Sequence, residues 1–296
     1  MKPISRREFT RTCAVVFGTT AAVPINPLWG KRESRSLVNG VQIGVQSYSF
    51  RDHSLDATIK AIGSLGIDSV ELWQGHLEPR GLSGKKLSRW RLESTNSFFN
   101  ESGKKFQQVG IKLNAYNYSF RKTMSDVEIE RGFLMAKALG ANVITASSNP
   151  SMARRIDLFA QKHTIRVGMH NHAQGGKKDE FEGPEDFAVA MEGTSNYICI
   201  NLDIGHFVAA GFDPLVYINQ HHDRIVTLHL KDRKKGLGPK SPVLKFGTGD
   251  TPIKEVLQLL KAKKYPIPAN IEHEIKGQPA MKGVQESFEY CRKALA

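Results

Sequence analysis

From Val41 onward the chain repeats one unit, a short β-rich apolar run followed by a stretch of helical periodicity. Successive parallel strands need a crossover between them, usually a helix, so this alternation points to parallel βα units. The pattern predicts strands over Gln42 to Ser49, Ser69 to Trp73, Lys112 to Asn117, Asn142 to Ser147, Arg166 to His172, Ile198 to Asp203, Ile225 to Lys231 and Ala269 to Glu274. Helices are expected over Ser54 to Leu65, Asp126 to Leu139, Met152 to Lys162, Pro184 to Glu192, Pro214 to Asp223 and Pro252 to Lys263. Ser54, Gly183-Pro184 and Asp213-Pro214 offer caps or first-turn prolines, and Gly66, Gly110 and Gly140 offer helix ends. The expected fold is α/β, a single-domain (β/α)8 TIM barrel over residues 37–296. A length of 296 residues accommodates it, since such barrels run to roughly 250 residues. The alternative, an open doubly wound sheet, would carry a glycine-rich phosphate fingerprint after the first strand, and none follows it.

Residues 1–36 do not fit the repeat. Ser5-Arg6-Arg7-Glu8-Phe9 precedes a mildly apolar stretch from Cys13 to Val23, then Pro24 and Pro27. This resembles a twin-arginine export signal, so residues 1–36 are expected to be signal peptide and linker, with no contact to the barrel. The resemblance implies a periplasmic protein, cleaved between Ala22 and Leu37. The formal charge of +13 drops to +8 without these residues, which hold seven Lys/Arg and two Glu. Much of the remainder lies on helices, as at Lys261, Lys263 and Lys264, and reads as solvated surface rather than the one-face stripe that nucleic acid requires. No apolar run approaches the roughly 18 residues of a membrane span. Cys199 and Cys291 are expected to be packing thiols, with Cys13 in the leader.

Barrel chemistry sits at the C-terminal ends of the strands. The fifth expected strand ends His170-Asn171-His172, where period-2 alternation turns both histidines to one face. The sixth ends Asp203-Ile204-Gly205-His206, the seventh His229-Leu230-Lys231-Asp232, and the eighth carries Glu272-His273-Glu274. One strand-end histidine would carry little weight, but four successive ends in ligand residue types predict one divalent metal ion. Imidazole and carboxylate together suit Mn²⁺, Zn²⁺, Fe²⁺ or Co²⁺.

These motifs, with Val70-Glu71-Leu72-Trp73, Gly247-Thr248-Gly249 and Ile271-Glu272, resemble the xylose-isomerase-like barrels, which include sugar phosphate isomerases and epimerases, inosose dehydratases and apurinic endonucleases. The resemblance runs from Ile43-Gly44-Val45-Gln46 to the end of the chain. It implies that Asp203, His229 and Glu272 are metal ligands and that His206 touches substrate or metal. In the fifth strand the family's isomerases and epimerases place Glu, and here His170 aligns, with His172 two residues on; either histidine is a candidate ligand. Glu71 is a candidate substrate contact or a salt bridge bracing the barrel. Lys231 reaches a substrate oxygen or supports the ligands. Tyr48, Trp73 and Tyr116 are candidates to line the mouth against a sugar, or equally to pack in the core.

The implied activity is a metal-dependent sugar isomerase or epimerase acting through an enediolate. Glu272 or Glu274 is the expected base, with His170, His172 or His206 as acid partner. Export favours a free sugar or keto-sugar over a sugar phosphate. The alternatives are a keto-sugar lyase or dehydratase, of 3-keto-glycoside or inosose type, and a sugar-binding barrel without catalysis. A phosphodiesterase fits poorly, because further histidine ligands would be needed where this chain has Glu71 and Asn114 to Tyr116.

Overall fold

The computed structural model describes residues 34–296. The arginine pair and the apolar leader lie outside the described residues. Eight parallel strands form a closed barrel: β1 (Val41–Gln46), β2 (Ser69–Trp73), β3 (Lys112–Asn117), β4 (Val143–Ala146), β5 (Arg166–His170), β6 (Ile198–Asp203), β7 (Ile225–Leu230) and β8 (Ala269–Ile271). The barrel closes because β1 pairs with β2 on one side and β8 on the other.

The outer face of each strand is apolar. Val41, Ile43 and Val45 of β1, Val70 and Leu72 of β2, and Ile198, Ile200 and Leu202 of β6 are all buried within one hydrophobic core. The expected helices pack on this face, together with helices at Gly84–Glu93, Asn96–Gln108, Ile204–Ala209 and Ala280–Leu295. The helix Asp126–Leu139 shows how sequence sets such an element. Ser125 and Glu128 form a reciprocal capping box at its start, and Gly140 ends it at φ 80°. Its Phe133 stacks on Phe120 with ring centroids 5.5 Å apart, a fully buried side chain of the kind that contributes roughly 1.5–3 kcal/mol.

The lumen is built differently. Barrel interiors are typically filled by layers of branched aliphatic side chains, but here Gln46, Glu71, Thr145, Asn201, Thr227, His229 and Asn270 fill it with hydrogen-bonded polar groups, all buried. Asn270 and Asn114 pair amide to amide. Gly44 leaves room for that pair, since a Cβ there would fall 2.2 Å from Asn270 Oδ1.

Three differences from expectation emerge. Residues 34–36 belong to the barrel rather than to a linker. Asp68 accepts Ser34 Oγ at 2.8 Å, Arg35 N at 2.6 Å and Ser36 Oγ at 2.6 Å, and Leu37–Val38 pairs antiparallel with β1. Several strands also stop short of their expected ends: β5 at His170, β7 at Leu230 and β8 at Ile271. The residues beyond them leave the ladder, so His172, Lys231, Glu272 and Glu274 stand at the mouth. Finally, the first strand gives way to a 3-10 turn at Ser47–Phe50, held where the Gln46 side chain caps Tyr48 N. Cys199 and Cys291 are buried free thiols. Among the described residues no helix is long and apolar enough to cross a membrane.

Candidate metal centre

Four side chains from consecutive strand ends converge at the C-terminal mouth. His170, Asp203, His229 and Glu272 are all buried, and each offers a ligand atom within 4.8 Å of the others. Four atoms held tetrahedrally about 2.1 Å from one ion lie about 3.4 Å apart, so the widest pair must close by up to about 1.4 Å. Asp203 Oδ2 is buried and accepts no well-formed hydrogen bond, its one close neighbour being the Lys231 ammonium at 3.2 Å. Such an orphaned carboxylate oxygen is the feature that a cation would complete.

The local sequence explains the convergence. Asp203 ends β6 and caps the helix Ile204–Ala209, its Oδ1 accepting His206 N at 2.7 Å, which leaves Oδ2 turned to the site. Asn171 clamps the Asp203 backbone, accepting its N–H at 2.9 Å and donating to its carbonyl at 3.2 Å. Gly205 lets this turn lie against β7's extension, where a Cβ would come 2.4 Å from the Lys231 carbonyl. His229 lies between two carboxylates, with Nδ1 3.1 Å from Glu272 and Nε2 2.9 Å from Glu71. Asp232 turns away from the site and accepts the backbone N–H groups of Gly247, Thr248 and Gly249, which fixes the loop after β7.

Lys231 is the internal cation of the cluster. Its Nζ lies 2.6 Å from Glu274, 2.9 Å from Glu272 and 3.2 Å from Asp203. It is only 1% exposed, enclosed by the three carboxylates. Arg233 donates to His206 Nδ1 at 2.5 Å and to the Ser241 carbonyl at 2.5 Å. Ala173 N also donates to His206 Nδ1, at 3.2 Å. With two donors on Nδ1, the single proton of neutral His206 sits on Nε2, and the 3.3 Å approach of Lys231 Nζ to Nε2 is a juxtaposition of two donors. His206 therefore presents an N–H to the site.

The charges sort the groups. Burial alone would depress His229, but Glu71 and Glu272 raise it well above the usual histidine range. Burial opposes the charge on Lys231, and Asp203, Glu272 and Glu274 outweigh it. Burial would raise Glu272, yet Lys231 and His229 hold it well below the usual carboxylate range. Burial drives His170 and His206 well down; His172 and His229 add to the fall at His170, while at His206 the opposing pull of Asp203 is outweighed by burial and Lys231. The connected network sets the carboxylates of Glu71, Asp203, Glu272 and Glu274 against Lys231 and Arg233. That leaves a deficit of two positive charges, which a divalent ion closes once His229 gives up its extra proton. By donor atoms, orphaned oxygen and charge, the residues present fit such an ion.

The remaining candidates fall into two groups. His172 is half-buried beside the four, its ring 4.5 Å from His170 and 5.1 Å from His206. Trp73 shares the inward parity of Glu71 and stands at the rim, edge-on to Tyr48 at 5.0 Å. Tyr116, a candidate for mouth or core, has the opposite parity and takes the core: it is buried outside the barrel and stacks on Tyr118 at 5.8 Å. Glu71 is fully buried beneath the site with both oxygens engaged by neighbouring side chains. Asn171, Asn201 and Arg233 were not anticipated from sequence. The polar alternation Cys199, Asn201, Asp203 within an apolar strand carries the signal for Asn201.

Residues 59–294 match the model of the xylose isomerase-like TIM barrel family. The chain belongs to that family. No curated protein sequence matches it. Among solved structures, the family member is similar to a probable 3-DHS dehydratase, AsbF, from Bacillus anthracis, at 13% identity and TM-score 0.63, over 83% of this chain and 97% of that one. It is also similar to an IOLI protein with a bound zinc atom, at 14% identity and TM-score 0.65, over 86% and 97% of the two chains. A sugar phosphate isomerase/epimerase from Parabacteroides distasonis ATCC 8503 aligns at 18% identity and TM-score 0.59, over 84% and 94%. At these identities the likeness is one of fold.

Proposed function

We propose that this barrel is a divalent-metal-dependent isomerase or epimerase of a free sugar or keto-sugar. The observation that carries the reading is the buried set His170, Asp203, His229 and Glu272 beside a carboxylate at the mouth, Glu274. The ion, when bound, acts as a Lewis acid toward a carbonyl and its neighbouring hydroxyl. Two imidazoles and two carboxylates favour a borderline ion, and the zinc atom of the IOLI structure supports zinc among the candidates. Glu272 is held as a ligand, so Glu274 takes the role of base and removes the proton next to the carbonyl. Its pairing with Lys231 at 2.6 Å fixes its position. His206, with its proton on Nε2, or His172 returns a proton to oxygen or carbon. Trp73 and Tyr48 offer aromatic faces to the sugar.

One observation favours a second reading, elimination from a keto-sugar. His170 stands where a second carboxylate would make proton transfer symmetrical, which leaves one carboxylate base facing imidazole acids. A base and an acid of different kinds suit removal of a proton and a leaving group. Incubation with free ketoses, inososes and 3-keto-glycosides in D₂O separates the two: isomerisation or epimerisation returns a deuterated sugar, and elimination releases an aglycone or water. A barrel that only binds sugar would exchange no hydrogen, and that result would sink both readings.

The location follows from the same proposal. Arg6-Arg7 and the leader support export to the periplasm, where phosphorylated sugars are scarce. Mass spectrometry of periplasmic material should find a start between Ala22 and Leu37, and an intact Met1 in the cytoplasm would contradict it.

A further inference from the structure

Glu71 gathers donors from four other strands. Gln46 Nε2 of β1 and Thr145 Oγ1 of β4 reach Oε1 at 2.7 and 2.5 Å. Asn270 Nδ2 of β8 and His229 Nε2 of β7 reach Oε2 at 3.0 and 2.9 Å. Each oxygen takes two partners, and three of the four donors belong to strands that make no metal ligand contact through them. The carboxylate therefore has no freedom to turn away from His229.

Both ring nitrogens of His229 face carboxylates, Nδ1 toward Glu272 and Nε2 toward Glu71, so an ion can replace the proton on only one of them. The nitrogen that keeps its hydrogen is the one whose carboxylate is locked in place and is no ligand, Nε2. Asn201 removes the other acceptor from that nitrogen. Its Oδ1 receives Thr227 Oγ1 at 2.7 Å, and the amide therefore turns Nδ2, a donor, toward His229 Nε2 at 3.2 Å. Glu71 is left as the acceptor for Nε2–H. Glu272, one of the four ligand residues, is drawn to the ion instead, so the lone pair of neutral His229 lies on Nδ1, the atom 3.1 Å from it.

We propose that Glu71 is a positioning residue, which sets the tautomer and ring plane of His229 so that Nδ1 is the atom offered to the ion beside Asp203 and Glu272. This rests on the metal-centre reading above. Carboxylates bonded to the far nitrogen of a ligating histidine fix its orientation and raise its basicity, and their loss typically weakens metal affinity about 10- to 100-fold. A residue that merely braced the barrel would alter stability and leave the ring's tautomer and the metal affinity alone.

The test uses the wild-type protein labelled with ¹⁵N-histidine and loaded with Zn²⁺. Long-range proton–nitrogen spectra should show His229 with its proton on Nε2 and a metal-shifted Nδ1. A metal-shifted Nε2 overturns the proposal while leaving the metal centre intact; a protein that takes up no zinc overturns both. Glu71→Gln should weaken Zn²⁺ binding about 10-fold or more, and Thr145→Val, which removes one hydrogen bond from Glu71, should move affinity in the same direction. Wild-type zinc affinity in whichever of these variants folds, with only a lowered Tm, would make Glu71 a brace and overturn the proposal.

Discussion

On β6, Ile198, Ile200 and Leu202 face the helices while Cys199, Asn201 and Asp203 face the lumen, and every one of them is buried. The same backbone thus serves two interiors of opposite chemistry. The outer layer is held by apolar area, which is non-directional and tolerates small shifts. The lumen is held by hydrogen bonds, which are directional, and each buried group left without a partner costs about 1–3 kcal/mol. A hydrogen-bonded lumen thus contributes orientation more than stability, and orientation is what a set of four ligand side chains requires.

If this division is right, the two layers should fail differently. Phe133→Ala in the outer layer, where Phe133 is fully buried, should cost roughly 3–5 kcal/mol in denaturant unfolding with metal affinity preserved. An equal loss of metal affinity there would break the division. Asn270→Ala in the lumen removes one donor from Glu71 and the partner of Asn114. It should cost less, about 1–3 kcal/mol, and weaken metal binding measurably by titration calorimetry. A lumen variant that loses stability and binds metal as the wild type does would contradict the account.

The smallest effects belong to the barrel floor. Burial raises Asp68, but hydrogen bonds from Ser36, Ser34 and the backbone of Arg35 and Ser36 outweigh it and hold its carboxyl below the usual range. A carboxyl depressed by folding contributes stability above its ordinary range and loses it as pH falls through the depressed value. Asp68→Asn should therefore flatten the acid side of the stability profile and leave neutral-pH activity unchanged. Deleting residues 1–33 should leave Tm unchanged, whereas deletion through Ser36 should lower it; equal Tm values would show the latch to be idle.

The outer layer was legible in the sequence because its signal is periodic: apolar residues at every second position of each strand, helices closed by Gly66, Gly110 and Gly140. The ligand set was legible because chemistry-bearing residues fall at strand ends. What was not legible depends on contacts between strands distant in sequence. Whether Glu71 faces a sugar or His229 is decided by Gln46, Thr145 and Asn270, up to 199 residues away. Of the two places open to Tyr116, mouth or core, the structure takes the core: β3 shifts register against β2 between Val70 and Glu71, and a slip of one residue moves a side chain to the other face. The place of residues 34–36 turned on Asp68, more than 30 residues on, and no local pattern announces that latch.

The central claim is that His170, Asp203, His229 and Glu272 hold one divalent ion, and elemental analysis of the purified protein beside Asp203→Asn tests it most directly. Asparagine keeps the oxygen that caps His206 N and removes the charge on the orphaned oxygen, so the variant should fold. The account predicts about one ion per chain in the wild type and none retained in the variant. A wild-type protein without bound metal, whose Tm does not respond to Mn²⁺, Fe²⁺, Co²⁺ or Zn²⁺, would contradict it.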